Sequence, residues 1–352
     1  KSMDENAKLN ADVLKLTEKV KVARIPDDLR IKLDEMLMRL TRSAKYGNYA
    51  AEFENMARYI DWILALPWQN ATQDILDLGH ARQILDKHHY GLGELKDRIL
   101  EYLAVMMLNQ RKPEANFRAP ILLLVGLVGT GKTTIAKSIA ESIGRKFVRV
   151  PFGGMGSALD LRGQSRVHPD AEPGLIVKAL KLAGSNNCVI LLDEIDRVAE
   201  STRSDIMGVL VELLDPGQNF AFTDHYLDYP FDLSKVMFIA TANNTTNVST
   251  AVMDRLEPIT MPSYTDEEKT TIARDYVLPK ELKSAALPEG AIKFDESVWP
   301  KLVRPLGFDG GIRTLERTIQ GVVRKIARLY VEGKAKSFYI TLDNLKQFLP
   351  TY

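Results

Sequence analysis

The feature that most constrains this chain is a glycine-rich run. Gly126, Leu127, Val128, Gly129, Thr130, Gly131, Lys132 and Thr133 fit the pattern G-x-x-x-x-G-K-S/T without a mismatch. An apolar run at residues 121–125 precedes it, and a helix-like stretch that begins at Thr134 follows it. Strand, glycine loop and helix is the context in which this motif holds phosphate. The alternative left open by the spacing alone is a glycine-rich turn between buried elements.

Each residue type in this loop has a property suited to an anion. Glycines let the backbone turn its N–H groups inward, and the following helix directs its positive end at the same point. We expect Lys132 to reach the β- and γ-phosphates of a nucleotide and Thr133 to ligate Mg²⁺. Thr134, at the start of the helix, is counted with the loop as a cofactor-binding residue.

Composition limits the remaining function classes. The chain has 352 residues, which is enough for two or three domains. Its net charge of +1 gives no global electrostatic argument for nucleic acid or a membrane as partner. The single cysteine, Cys188, rules out an internal disulfide and a Cys-rich zinc site.

The sequence shows no recognisable targeting signal. No stretch approaches the roughly 18 uninterrupted apolar residues of a membrane span, and no signal peptide is recognisable. We therefore expect a cytoplasmic protein, or one of the mitochondrial matrix if the parent is eukaryotic. The first residue is Lys1 rather than Met, as expected of a fragment of a longer protein.

Hydrophobic periodicity divides the chain into three regions. Residues 1–68 carry three apolar stripes at helical spacing, which predicts an N-terminal helical bundle. In residues 69–262 apolar strands alternate with helical stretches, which predicts an α/β domain with a parallel sheet and crossover helices. Residues 263–352 return to helical spacing, with a long helix from residue 312 to about residue 332, and predict a small helical domain. The predicted strands are residues 121–125, 147–150, 189–192 and 236–241.

Two predicted strands end in polar residues that suit phosphate chemistry. Asp193 and Glu194 follow the strand at 189–192. An acid at the end of a buried strand can hold Mg²⁺ opposite the loop Thr, directly or through water, and a second acid can polarise an attacking water. Asn243, after the strand at 236–241, is suited to orient the same water. The alternatives are an ordinary polar strand end and a turn-forming Asn.

Two arginines and a histidine pair are more ambiguous. A guanidinium close to a transferring phosphoryl group offsets the charge that grows in the transition state, and Arg255 and Arg313 are candidates. The alternative for each is an ordinary surface arginine. His88 and His89 invite a metal interpretation, but adjacent residues do not share a face and no acidic or Cys partner stands at ligand spacing.

In their order along the chain, these residues resemble a AAA+ ATPase module. Three further strings narrow the resemblance to the ATPase part of the Lon protease family, and it extends from about residue 10 to residue 352. These strings are Leu66-Pro67-Trp68, His89-Tyr90-Gly91-Leu92, and Leu213-Leu214-Asp215-Pro216 with the run from Phe222 to Leu227.

The resemblance implies a AAA+ P-loop NTPase sheet domain with a C-terminal small helical lid domain. It implies a homo-hexameric ring that hydrolyses ATP to ADP with Mg²⁺ and threads unfolded or damaged protein through a central pore. Nucleic acid is not expected as the main substrate, and no membrane is involved.

The same resemblance assigns a role to each site residue. Lys132 and Thr133 would bind phosphate and Mg²⁺, Asp193 would help hold the metal, and Glu194 would be the catalytic base. Asn243 would be the first sensor and Arg313 the second, while Arg255 would reach the nucleotide of a neighbouring subunit. The adenine is expected beside His89, Tyr90 and Gly91.

The chain departs from the family pattern at three places. Leu127-Val128 stands where the family usually has Pro-Pro, and we expect phosphate binding to survive because its contacts there are mostly main-chain. In the first pore loop, residues 163–174, His168 stands where a Tyr is usual and Pro169 follows it; imidazole offers less surface for gripping a chain. No segment resembles the Ser-Lys peptidase domain, which would follow residue 352.

Two other classes remain as alternatives. A nucleic-acid remodeller would need basic pore loops, whereas residues 157–173 balance Arg162, Arg166 and His168 against Asp160, Asp170 and Glu172. A nucleotide-binding scaffold without turnover is disfavoured because the acid pair and Arg255 are present.

Overall fold

The structure, a computed structural model, describes residues 2–43, 50–111, 121–304 and 310–350. The N-terminal region consists of helices α1 (Ser2–Val22), α2 (Asp27–Ser43) and α3 (Ala50–Ala65), which confirms the three predicted helices. Their apolar stripes are buried in one cluster that continues into the sheet domain. The hydroxyl of Tyr59 donates to the Leu227 carbonyl oxygen at 2.9 Å, so α3 is anchored to that domain by a buried hydrogen bond.

A five-stranded parallel sheet forms the centre of the chain. Two helices precede it, α4 (Leu78–His88) and α5 (Gly93–Arg111). The elements that follow are β1 (Ile121–Val125), α6 (Lys132–Ser142), β2 (Phe147–Pro151), α7 (Leu159–Arg162), α8 (Leu175–Ala183), β3 (Val189–Asp193), α9 (Arg203–Leu214), β4 (Phe222–Asp224), β5 (Tyr229–Phe231), β6 (Met237–Ala242), α10 (Thr250–Met253) and β7 (Leu256–Thr260). The strand order is β2-β3-β6-β1-β7, and β4 and β5 form a separate hairpin.

The predicted α/β class and the four predicted strands are confirmed, but the sheet has a fifth strand. β7 pairs only with β1, at the edge of the sheet, and its sequence Leu-Glu-Pro-Ile-Thr carries a proline. An edge strand tolerates proline because one side of it needs no ladder hydrogen bond. β3 and β6 are buried at every position, so they show the continuous apolar runs of strands covered on both faces.

The strand order brings three strand ends together. β6 lies between β1 and β3 with all three parallel, so their carboxyl ends meet at one edge of the sheet. The loop after β1, Asp193 at the end of β3 and Asn243 just after β6 therefore converge on that edge. This is the position at which open parallel sheets bind ligands.

The C-terminal region contains α11 (Asp266–Ile272), a π-helical turn (Ala273–Val277), α12 (Leu278–Ser284), β8 (Ile292–Phe294), α13 (Trp299–Val303), α14 (Arg313–Val331), β9 (Phe338–Ile340) and α15 (Leu345–Phe348). Thr265 and Glu268 begin α11 with a reciprocal capping box. The π turn lies just before Pro279, and a wider turn gives the proline ring room beside the Asp275 carbonyl.

The prediction of a purely helical C-terminal region was incomplete. β8 and β9 form a two-stranded parallel sheet, although the long helix α14 separates them in the sequence. Each strand has three residues, which is too short for an alternating pattern to register in the sequence. None of the helices in the described parts of the chain combines the length and apolar character needed to cross a lipid bilayer.

Candidate nucleotide site

The glycine-rich loop lies between β1 and α6. Gly129 and Gly131 have φ angles of +84° and +94°, the left-handed region in which a side chain is strained. The first main-chain bond into α6 runs from the Ile135 N–H to the Gly131 carbonyl oxygen at 2.9 Å. The N–H groups of the first helical turn precede this bond and have no partner inside the helix, so they face the loop. The loop at residues 126–133, called the phosphate loop below, therefore has a backbone geometry suited to an anion at a helix N-terminus.

Lys132 extends its ammonium group back into this loop. Its Nζ donates to the carbonyl oxygens of Gly126 (2.6 Å) and Leu127 (3.0 Å) and to Oδ1 of Asn243 (3.1 Å). Burial lowers the pKa of Lys132, while the charges of Asp193 and the neighbouring acids act in the opposite direction. The contact with Asn243 joins the loop to the end of β6.

Asp193 and Glu194 are held by one hydroxyl. Thr241, on β6, is fully buried; its hydroxyl donates to Oδ1 of Asp193 (2.5 Å) and accepts the Glu194 N–H (2.8 Å). Glu194 has a left-handed backbone with φ +59° and ψ +50°. A non-glycine residue in that region costs about 1–3 kcal/mol, so the surrounding contacts determine the direction of its side chain.

Two arginines pair with these acids. Arg149 Nε donates to Oδ2 of Asp193 at 2.5 Å, so both carboxylate oxygens of Asp193 accept a hydrogen bond. Arg197 Nη1 lies 3.7 Å from Oε1 of Glu194. Sequence reasoning missed Thr241, Arg149 and Arg197. The one available signal was Arg149 itself, a charged residue between valines in an otherwise apolar strand.

Asn243 is positioned by Asp196, which sequence reasoning also missed. Oδ2 of Asp196 accepts the main-chain N–H groups of Asn243 (3.1 Å) and Asn244 (3.4 Å). Within the described ranges, Nδ2 of Asn243 is buried without a hydrogen-bond partner, and so is Oδ1 of Asp196. A buried unpaired donor is costly, so the side-chain NH2 group of Asn243, with its two N–H donors, is available for a further acceptor at this site.

The small domain packs directly on the loop. The Ile312 N–H donates to the Gly129 carbonyl oxygen at 3.0 Å, and α14 begins at the next residue, Arg313. A Cβ placed on Gly311 would lie 2.5 Å from the Val128 carbonyl oxygen, so glycine is required for this approach. Arg313 and the N-terminus of α14 thus lie beside the phosphate loop, although Arg313 is distant from it in sequence.

Arg255 lies at the amino-terminal ends of the parallel strands, opposite the end that carries the phosphate loop. Its carbonyl oxygen accepts the N–H of Ile121, the first residue of β1, at 3.4 Å. The five residues of β1 separate that point from the loop, a distance of roughly 16 Å at about 3.3 Å per residue. The structure therefore brings Lys132, Asp193, Glu194, Asn243 and Arg313 to one edge and leaves Arg255 away from them.

The segment His89-Tyr90-Gly91 joins α4 to α5. His89 is buried with Nε2 2.9 Å from the Ser138 hydroxyl of α6, and burial lowers its pKa to about 4, so its ring is neutral. The Tyr90 ring is partly exposed, with its centroid 6.4 Å from that of Tyr276 in the π turn. The segment therefore lies between α6 and the small domain. In the described parts of the chain, no three His, Cys, Asp or Glu side chains gather as a metal site.

Comparison with known proteins agrees with this geometry. Residues 122–264 match the family model of the ATPase family associated with various cellular activities (AAA). Residues 283–338 match the model of the Lon protease AAA+ ATPase lid domain. Fold and site thus define a AAA-type ATPase domain followed by its lid.

Three curated relatives extend the match across the chain. Lon protease of Syntrophomonas wolfei subsp. wolfei is 43% identical over 349 residues, covering 99% of this chain and 42% of the relative. Lon protease 1 of Bacillus subtilis is 40% identical over 349 residues, covering 99% of this chain and 44% of the relative. Lon protease 2 of Thermus thermophilus is 42% identical over 345 residues, covering 96% and 42%.

The chain belongs to the Lon protease family and carries its AAA ATPase and lid regions. It spans less than half the length of the curated relatives it matches, with 42–44% of each of these three covered.

Proposed function

We propose that this chain binds and hydrolyses ATP in order to unfold and translocate protein substrates, as the ATPase part of a Lon-like ATP-dependent serine protease. One observation carries the proposal: Lys132, the Asp193-Glu194 pair and Asn243 meet at the ends of adjacent parallel strands. A phosphate cradle, an acid pair and a polar water-orienting group in contact are the parts that phosphoryl transfer needs.

The residues present fit a nucleotide with Mg²⁺. Thr133 at the start of α6 and Asp193 supply hard oxygen ligands of the kind this ion prefers. Each carboxylate oxygen of Asp193 accepts one hydrogen bond and keeps a further lone pair, so Asp193 could contact the ion directly or through water. When bound, Mg²⁺ would neutralise charge on the phosphates. His89, Tyr90 and Gly91 are proposed to border the adenine.

Each of the remaining site residues has a proposed role in hydrolysis. Glu194 is the proposed base, directed by its left-handed backbone. The unpaired side-chain NH2 group of Asn243 is suited to orient the attacking water. Arg313 lies in the small domain beside the loop, and its contact with the nucleotide would couple the nucleotide state to the position of that domain. Arg255 is too far from its own loop, which supports action on the nucleotide of a neighbouring subunit in a homo-hexameric ring.

The loop at residues 163–174 is the proposed contact with the polypeptide substrate. Its neck is closed by buried Asp224, whose Oδ2 accepts the Gly174 N–H at 2.7 Å. Its tip exposes Val167 (88%), followed by His168 and Pro169. The exposed apolar side chain of Val167 offers a contact that does not depend on sequence in the substrate. We propose a cytoplasmic location, in keeping with a lone buried thiol at Cys188.

Replacing Glu194 by Gln tests the proposal. Glu194→Gln should bind ATP as tightly as the unchanged chain, while its rate of phosphate release falls by about 10²–10⁴-fold because the amide cannot accept a proton. The matched control is Glu200→Gln, an exposed acid a few residues along the chain, which should release phosphate normally. Normal turnover by Glu194→Gln would remove Glu194 as the base.

A further inference from the structure

Arg255 is not a loose surface side chain. Its Nη2 donates to Oδ2 of Asp215 at 2.8 Å, and its Nη1 donates to the Ala251 carbonyl oxygen at 2.7 Å. Both side chains of the ion pair are about three-quarters buried, with 27% of Arg255 and 25% of Asp215 exposed. Within the described ranges Arg255 Nε is buried without a partner. Two of the three guanidinium nitrogens are therefore fixed in direction.

Asp215 is itself anchored independently of Arg255. It follows α9, and its Oδ1 accepts the Gly217 N–H at 2.7 Å. Its main-chain carbonyl oxygen accepts the N–H groups of Gln218 (3.0 Å) and Asn219 (2.9 Å). The bond from Arg255 is the largest of the effects that lower the pKa of Asp215, so its carboxylate stays ionised at neutral pH. The turn after α9 thus presents a fixed negative charge to Arg255.

We propose that Asp215 is a positioning residue that holds the Arg255 guanidinium in the orientation needed at the neighbouring subunit's nucleotide. This inference rests on the proposed function, since it requires Arg255 to act between subunits. A free arginine side chain loses much rotamer freedom when it is ordered on a phosphate, and an arginine ordered in advance avoids that loss. The ion pair supplies this order from outside the chain's own nucleotide site.

The competing interpretation is that Asp215 only ends α9. Asp215→Asn separates the two, because the amide oxygen can still accept the Gly217 N–H while the charge opposite Arg255 is lost. A role limited to the turn predicts that both the Tm and the kcat of Asp215→Asn stay close to those of the wild-type chain, because the bond from Gly217 is kept. A positioning role predicts lower kcat with nucleotide affinity unchanged, because Asp215 touches no part of its own phosphate loop.

The experiment compares Asp215→Asn, Arg255→Ala and the double variant at subunit concentrations where the ATPase rate per subunit has reached a plateau. The measured quantities are kcat, the affinity for a fluorescent ADP, and Tm. We expect about a tenfold lower kcat for Asp215→Asn, an order of magnitude for lost preorganisation of one long side chain. The double variant should be no slower than Arg255→Ala, and ADP affinity should be unchanged in all three.

Mixed assemblies make the test specific to action between subunits. Arg255→Ala subunits keep an intact nucleotide site, and Glu194→Gln subunits keep an intact Arg255, so mixing them should restore turnover. Adding Asp215→Asn to the Glu194→Gln subunit should lower that rescue about tenfold. Asp232→Asn, which removes a carboxylate that accepts the Ser234 N–H in another turn, is the matched control.

The outcomes are distinguishable. If Arg255→Ala turns over ATP normally, the proposed intersubunit role of Arg255 is wrong. If Arg255→Ala is impaired while Asp215→Asn has a normal kcat and rescues fully, Asp215 has no positioning role. If Asp215→Asn melts well below the unchanged chain, Asp215→Ser, which also keeps an acceptor for Gly217, takes its place in the mixing experiment under the same criteria.

Discussion

Thr241 links the two acids of the site, and its replacement by valine gives a quantitative test of that link. Valine has nearly the shape of threonine but lacks the hydroxyl that donates to Asp193 and accepts the Glu194 N–H. The substitution leaves a buried carboxylate oxygen with one donor fewer and a main-chain N–H without its acceptor. A hydrogen bond to a charged group contributes about 1.5–3 kcal/mol, and an orphaned amide costs about 1 kcal/mol or more. Together they lower the free energy of unfolding by about 3 kcal/mol.

The same substitution should affect turnover. Without the Thr241 hydroxyl, the left-handed Glu194 backbone loses the contact that fixes its N–H, so its carboxylate is less well directed. We expect kcat to fall about tenfold, the scale on which misorientation of a catalytic group acts. Urea denaturation followed by circular dichroism measures the stability change, and phosphate release measures kcat.

Thr241→Ser is the matched control for this prediction. Serine keeps the hydroxyl and loses one methyl group, which costs about 1 kcal/mol of burial. Thr241→Ser should therefore be the more stable variant by about 2 kcal/mol and should keep most of its kcat. If the valine variant equals the serine variant in both stability and kcat, the hydroxyl does not hold the acid pair and the reasoning is refuted.

Two further predictions concern the lid contact and the buried histidine. Gly311→Ala places a Cβ 2.5 Å from the Val128 carbonyl oxygen, a main-chain atom that cannot rotate away. The lid should therefore separate from the loop, and ADP affinity in a fluorescence titration should fall about tenfold or more. The control is Gly208→Ala, whose added methyl meets no atom within 4 Å and should leave that affinity unchanged. The pKa of His89 is about 4 in the folded chain, below its unfolded value of about 6.5, so its stabilising effect is present above pH 6.5 and is lost as the pH falls towards 4. At pH 5 the loss from His89 is about 2 kcal/mol relative to pH 7, and urea denaturation of His89→Asn should show a correspondingly weaker dependence on pH over that range.

The local sequence pattern was sufficient to predict the phosphate loop. Its residues are consecutive, and the strand before it and the helix after it each carry their own periodicity. The four predicted strands were found for the same reason, because strands buried on both faces are continuous apolar runs. β7 was missed because an edge strand is not under that constraint, and it contains a proline and a glutamate. β8 and β9 were missed because each is stabilised by a partner that is distant in the chain.

In the candidate site, too, local features could be predicted from the sequence and long-range contacts could not. The placement of Asp193, Glu194 and Asn243 at the carboxyl ends of the sheet strands could be predicted because each stands at the end of a recognisable apolar run. Thr241 and Arg149 could not, because their contacts with Asp193 depend on which strands are neighbours and in what register. The approach of Gly311 to the loop depends on how the small domain docks, which no short window of residues encodes.

The amino-acid sequence by itself determined that this chain holds a phosphate loop on a parallel sheet, with helical regions before and after it, since those features are local and repeat with the period of their secondary structure. Tertiary structure alone decided that one threonine holds both acids, that the lid rests on the loop, and that Arg255 faces away from it towards Asp215. Those relations join residues tens to nearly two hundred positions apart. Contacts of that range arise only when strand order and domain docking are set by burial of the shared core.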